Sequence, residues 1–150
     1  DLGLDAALRS FITDIASGYD CALSLTGSSG PSLGVETELA VFRIVQEATN
    51  NALRHADATR IDITLERLST GLAVQVADNG HGFDPATAEH ATGLGLLGIR
   101  ERAQLLDADI DLYSGPDGTT LSLHVPEVAG PALPLPPTSL PPDPEDQRME

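Results

Sequence analysis

From Glu36 to His55 the chain runs for twenty residues without a proline or a glycine, and Leu39, Phe42, Val45, Ala48, Ala52 and Leu53 recur at helical spacing. A pattern of that length specifies one long amphipathic helix, whose apolar side must be covered by other elements. Along another side Glu47, Asn51 and His55 fall four residues apart, with Asn50 and Arg54 beside them. A solvent-facing surface accounts for such a stripe on helix geometry alone. The two adjacent asparagines argue for something more, because each costs up to about 0.7 kcal/mol against alanine in a helix interior.

The flanking segments supply the covering elements. Leu4 to Ser17 carries Leu4, Ala7, Leu8, Phe11, Ile12 and Ile15 at the spacing of a first amphipathic helix, stopped by Gly18. Cys21 to Leu25 reads as a short strand, and Gly27-Ser28-Ser29-Gly30-Pro31 after it as a loop. Arg60 to Arg67 and Leu72 to Ala77 alternate apolar and polar residues around Ser69-Thr70-Gly71, the signature of a hairpin. Asp78 to Thr92 reads as a long loop, and Leu94 to Leu106 as a helix. Ile110 to Tyr113 and Thr120 to Val125 form a second hairpin around Gly115-Pro116-Asp117-Gly118. This order predicts an α+β sandwich, with helices on one face of a mostly antiparallel sheet.

Eight of the eleven prolines lie from Pro126 onward, so an ordered domain over 1–126 and a Pro-rich acidic disordered tail over 127–150 are expected. The net charge is −15, and all eight basic residues are arginine. Affinity for nucleic-acid backbone comes from clustered cations, so a nucleic-acid partner is not expected. A polyphosphate ligand would need a divalent cation and backbone N–H donors. The single cysteine, Cys21, forms no internal disulfide and is read as packing in a reducing, cytoplasmic setting. No stretch is long and apolar enough to span a membrane, so no direct membrane contact is expected. The start at Asp1 instead of methionine suggests an excised piece of a longer chain, possessing no visible signal peptide.

Two further segments carry chemistry. Asp78-Asn79-Gly80-His81-Gly82-Phe83 follows a strand. It is good turn chemistry, and equally an aspartate placed to accept from an amine beside glycines that admit a flat ligand. In Gly93-Leu94-Gly95-Leu96-Leu97-Gly98-Ile99-Arg100-Glu101-Arg102 the glycines open a helix. Free N–H groups at such an end bind anions without lysine, although glycine also serves close packing. Neither a dinucleotide fingerprint nor a P-loop ending accompanies them.

Taken in order, Glu47-Ala48-Thr49-Asn50-Asn51-Ala52-Leu53-Arg54-His55-Ala56, the Asp78 segment and the Gly93 segment resemble the N box and two glycine boxes of the histidine-kinase ATPase domain. Within that superfamily, Asn-Ala-Leu-Arg-His-Ala and Gly-Leu-Leu-Gly-Ile-Arg-Glu-Arg-Ala are similar to sensor kinases paired with NarL-type response regulators. The resemblance covers about Leu2 to Pro126. It implies the two-layer ATPase sandwich of that superfamily, a mixed, mostly antiparallel sheet packed on three helices.

The resemblance also implies roles. Asn51 matches the asparagine that binds Mg²⁺ bridging the ATP phosphates, and Glu47 the acidic residue that positions or activates the reacting groups. Arg54 and His55 match positions beside the phosphates and lid, with Arg54 supplying charge. Asp78 matches the aspartate that accepts from the adenine amine, and Gly80 and Gly82 keep the adenine edge open. Gly93, Gly95, Leu96 and Gly98 belong to the phosphate-holding second glycine box, with Phe83 to Thr92 as the mobile lid. Thr119 matches a threonine that reaches adenine through water.

Of the four histidines, His55, His81, His90 and His124, none has the neighbours of a phosphoryl acceptor. The expected partners are therefore a dimerisation domain bearing that histidine, elsewhere in a homodimeric parent protein, and a NarL-type response regulator. The domain alone is expected to be monomeric and to hydrolyse ATP weakly or not at all. Two rival readings keep the same boxes: an anti-sigma-factor serine kinase, and a degenerate domain that only binds proteins.

Overall fold

The computed structural model describes residues 3–84 and 95–127. In chain order it comprises α1 (Gly3–Ala16), β1 (Ala22–Ser28), α2 (Val35–His55), β2 (Arg60–Leu68), β3 (Gly71–Asp78), α3 (Leu96–Leu105), β4 (Asp109–Gly115) and β5 (Gly118–Pro126). The expected α+β class is what the chain adopts: one five-stranded sheet in the order β1-β2-β3-β5-β4, with three helices among the described residues. β1 and β2 pair in parallel and every other pair is antiparallel. Parallel neighbours need a crossover, and α2 provides it.

Alternation in the strands decides which face the helices cover. In β5, Leu121, Leu123 and Val125 are buried, and Thr120, Ser122 and His124 between them are half-exposed. The same period buries Ile61, Ile63 and Leu65 in β2 and Leu72, Val74 and Val76 in β3. From the helices, Leu8, Val41, Ile44, Val45 and Ile99 complete one continuous core. Phe11 of α1 meets Phe42 of α2 edge to face at 5.8 Å.

Differences from the expected boundaries have local causes. β1 continues three residues beyond Leu25, because Thr26, Gly27 and Ser28 pair with Thr64, Leu65 and Glu66. Gly27 belongs to the strand because a Cβ there would lie 1.9 Å from the Leu65 carbonyl oxygen. The hairpin links are Ser69-Thr70 and Pro116-Asp117, two residues each.

Glu127, the last described residue, is bonded back to the sheet. The Glu127 amide donates to the Thr70 carbonyl at 2.9 Å, and its carboxylate receives both arms of the Arg67 guanidinium at 2.7 to 3.1 Å. Nη1 of Arg67 also donates to the carbonyls of Ser29 and Pro31, so one arginine ties the β1–α2 loop to the end of β5. The remaining tail, 128–150, lies outside the described residues. No helix among the described residues is long and apolar enough to cross a membrane.

Candidate functional site

Three elements converge on an apolar cleft. α2 contributes Ala48, Asn51 and Ala52 and its C-cap Ala56, the end of β3 contributes Val76 and Asp78, and α3 contributes Leu96 and Ile99. Phe83, Leu112, Thr119 and Leu121 close it. Polar groups therefore enter an otherwise apolar slot at three points: Asn51, Asp78 and Thr119. A flat aromatic ligand with a few hydrogen-bonding edges suits such a lining.

Asp78 is held by the turn it begins. Its Oδ1 accepts from the amide of Gly80 at 2.8 Å and from the amide of Thr119 at 3.3 Å. Oδ2 has no hydrogen-bond partner among the described residues, which leaves one carboxylate oxygen for a donor in the cleft. The turn is fixed from behind by Asn79. Its Oδ1 accepts from the amides of Thr59 and Arg60 at 2.9 Å each, and its Nδ2 donates to Thr59 Oγ1. The His81 amide donates to the Ala56 carbonyl at 2.9 Å, joining the same turn to the end of α2.

The glycines of this turn serve backbone contact. A Cβ on Gly80 would lie 2.5 Å from the Ala56 carbonyl oxygen, and one on Gly82 would lie 2.1 Å from that of Gly115. Gly82 is also left-handed, at φ +73. Their smallness lets the Asp78 turn seat between α2 and the β4–β5 hairpin, and neither lines the cleft.

On the α2 side Asn51 is buried, with 7% of its surface exposed, and Glu47 one turn earlier is half-buried. Gly95 caps α3 in the left-handed conformation, φ 63, directly over Glu47. No side chain among the described residues caps this helix. The amides of Leu96, Leu97 and Gly98 in its first turn have no intrahelical acceptor, and the helix dipole adds positive potential there. Arg54 and His55 are exposed in the last turn of α2 and do not line the cleft. Gly93 and most of the expected lid, 85–92, lie outside the described residues.

Two residues of the site were not read from the sequence. Ser114 lies on β4, where its Oγ accepts from the Phe83 amide at 2.8 Å and meets Thr119 Oγ1 at 2.7 Å. Asn79 belongs to the Asp78 segment, but its bracing role depends on Thr59 and Arg60, which only the fold brings to it. Cys21 sits one residue before β1, half-buried and outside the cleft. Burial pushes its thiol up, and the charges of Asp78 and Asp20 add to the shift.

The family model for the histidine kinase-, DNA gyrase B- and HSP90-like ATPases matches residues 36–129. The chain belongs to that family, as an ATP-binding catalytic domain of the histidine-kinase type. It is 36% identical over 128 residues to the oxygen sensor histidine kinase NreB of Staphylococcus carnosus, an alignment spanning 84% of this chain and 37% of that protein. Among solved structures, the ATP binding domain of PrrB from Mycobacterium tuberculosis is 26% identical, with a TM-score of 0.67 over 83% of this chain and 94% of that one. The histidine kinase domain of a blue-light activated kinase from Erythrobacter litoralis shares the fold, with a TM-score of 0.72 at 21% identity, over 83% of this chain and 65% of that one.

Proposed function

We propose that the cleft binds the adenine of Mg-ATP and that, within a longer sensor kinase, the domain donates the γ-phosphoryl group to a histidine on a dimerisation domain. Relay to an aspartate of a NarL-type response regulator would follow. One observation carries the nucleotide assignment: Asp78, which lines the cleft, is fixed through Oδ1 by two backbone amides, while Oδ2 has no partner among the described residues. An exocyclic amine is the donor that this oxygen selects, and adenine has one where guanine has a carbonyl.

The phosphates then extend toward the start of α3, where free amides at Gly95 to Gly98 stabilise negative charge without lysine. Mg²⁺ fits the donor chemistry beside them. Asn51 offers a side-chain carbonyl oxygen from a buried position, and Mg²⁺ commonly takes few protein ligands and completes its shell with phosphate and water. When bound, the ion neutralises charge on the phosphates.

Glu47 is the acidic group closest to the Gly95 cap and is assigned to orient the reacting groups. Arg54 is assigned to charge stabilisation from the end of α2. In the transfer, the acceptor imidazole nitrogen bonds to the γ-phosphorus as the bond to the ADP oxygen breaks. Positioning and electrostatics supply most of such a rate enhancement. Similarity to NreB favours histidine over serine as the acceptor class.

Calorimetric titration of a nonhydrolysable ATP analogue, with and without Mg²⁺, tests this. Binding strengthened by Mg²⁺ and selective against the GTP analogue is expected. Equal binding of both purines, or none, would remove the assignment of Asp78.

A further inference from the structure

One end of the sheet gathers several chain segments. β1 ends there at Ser28, β2 at Leu68 and β5 at Pro126, and Asp5 in the first turn of α1 is bonded to Ser28 and Ser29. At that end, on the helix side, α1 and α2 leave a groove between them, lined by Gly3, Leu4, Ala7, Val35, Leu39 and Phe42. Val35 and Leu39, one turn apart on α2, are exposed by 79% and 53%. Single exposed apolar residues are ordinary, but two on one helix face beside Leu4, Ala7 and Phe42 make a continuous apolar surface of the kind that binds a partner. We propose that this partner is the chain's own Pro-rich segment, Val128 to Pro142, which lies in the groove and straps α1 to α2.

Where the chain leaves the sheet selects this occupant. Leu121, Leu123 and Val125 face the helices and Glu127 continues their alternation, as Arg67 continues that of Ile61, Ile63 and Leu65. Both therefore emerge on the helix side. There Arg67 binds the Glu127 carboxylate at 2.7 to 3.1 Å and the carbonyls of Ser29 and Pro31 at 2.8 and 2.7 Å. Pro31 stands only four residues before Val35. Following these bonds and then the chain, Glu127 and Val35 are separated by no more than about 30 Å. A polyproline helix rises about 3.1 Å per residue, so about ten residues cover that path, and Val128 to Pro142 leaves the rest for the groove.

The chemistry of the segment fits as well. Val128 to Pro142 contains no charged residue, although the chain's net charge is −15, and charges return only from Asp143 onward. Leu133, Leu135 and Leu140 are set among prolines, which hold the backbone extended beforehand and so reduce the entropy lost on docking. Segments of this type dock in apolar grooves with an aromatic wall, and Phe42 supplies that wall. The charged residue among those lining the groove, Glu38, is tied to the loop before α2 by the Leu33 amide at 2.9 Å. The expected disordered tail then shrinks to its charged end, Asp143 to Glu150.

The chain has no tryptophan, so one placed in the tail reports alone. In the full chain, Leu133→Trp and Leu135→Trp are expected to emit at shorter wavelength than the same tryptophan in a free peptide of residues 128–150, at every protein concentration. Leu39→Asp and, independently, Val35→Asp should return that emission to the peptide's; both positions are exposed, and urea unfolding establishes that each variant is folded. Gln147→Trp, in the charged end, should match its own peptide throughout. Emission equal to the peptide's at both leucine positions overturns the proposal. A blue shift that survives both groove substitutions means that the segment packs elsewhere, and overturns it. A shift lost on dilution assigns the groove to a second copy of the chain, and overturns it as well.

Discussion

The carboxyl group of Glu47 rests against the bare α-carbon of Gly95: a Cβ at that position would lie 2.7 Å from Glu47 Cδ. The contact joins α2 to the start of α3, and therefore joins Glu47 to the first-turn amides proposed to hold the phosphates. It also explains why a glycine that opens a helix is needed here twice over, once for space and once for a left-handed backbone at φ 63.

Gly95→Ala should accordingly lose about 1–2 kcal/mol of stability from the left-handed backbone alone, and bind ATP more weakly because the amides are displaced. Gly98→Ala is the control. Its Cβ would meet only the Arg102 Nη1, at 2.9 Å, at the end of a flexible side chain, and its backbone is not left-handed. Urea unfolding of both variants checks the difference, and equal losses would show that the cap conformation is unimportant.

Asp78→Asn separates fold from recognition. The asparagine carbonyl retains the bonds from Gly80 and Thr119, while its amide replaces Oδ2 and turns a donor toward the adenine amine. Unfolding midpoints should stay close to those of the unmodified domain. Affinity for the ATP analogue should fall by one to two orders of magnitude, roughly the 1.5–3 kcal/mol of a hydrogen bond to a charged group. A large loss of stability with binding retained would contradict the division of labour between the two oxygens.

Much of this was legible in the chain itself, for identifiable reasons. The helical period over Glu36 to His55 and the alternation in β2, β3 and β5 are dictated by a buried face, so pattern alone located them. The extension of β1 through Gly27 and Ser28 was hidden because a parallel edge strand gains its pairing from β2, thirty-eight residues away, and from no local alternation. Ser114 was hidden for a similar reason: its partners, Phe83 and Thr119, become neighbours only when β5 inserts between β3 and β4. Gly80 and Gly82 were visible as glycines, but a sequence cannot say whether bare α-carbons face ligand or backbone. Here they face the carbonyls of Ala56 and Gly115.

Acid should weaken the tether between α1 and the β1–α2 loop. Partial burial opposes ionisation of Asp5, but hydrogen bonds from the Ser29 and Ser28 hydroxyls and the Ser29 amide, with Arg9 nearby, outweigh it and hold the carboxyl below its usual value. A group whose folded pKa is depressed stabilises the protein above its unfolded pKa, near 4, and loses that contribution as pH falls through the folded value. Asp5→Asn should therefore cost about 1 kcal/mol at pH 6 and progressively less below pH 4. Denaturant titrations across that range provide the check, and a gap independent of pH would mean that the charge of Asp5 contributes nothing.

Thr49 offers the opposite kind of test, a substitution expected to do no harm. It lies on α2 with none of its surface exposed, and its Oγ1 is buried without a hydrogen-bond partner among the described residues. A hydroxyl desolvated in this way costs about 1–3 kcal/mol, and valine has nearly the same shape without that cost. Helix propensity barely distinguishes the two residues. Thr49→Val should thus be neutral or stabilising by up to about 1 kcal/mol, with nucleotide affinity unchanged, because Thr49 does not line the cleft. Destabilisation beyond about 1 kcal/mol would show that the hydroxyl has a partner in solution, such as a buried water, and that polar contact inside this face of α2 supports the fold.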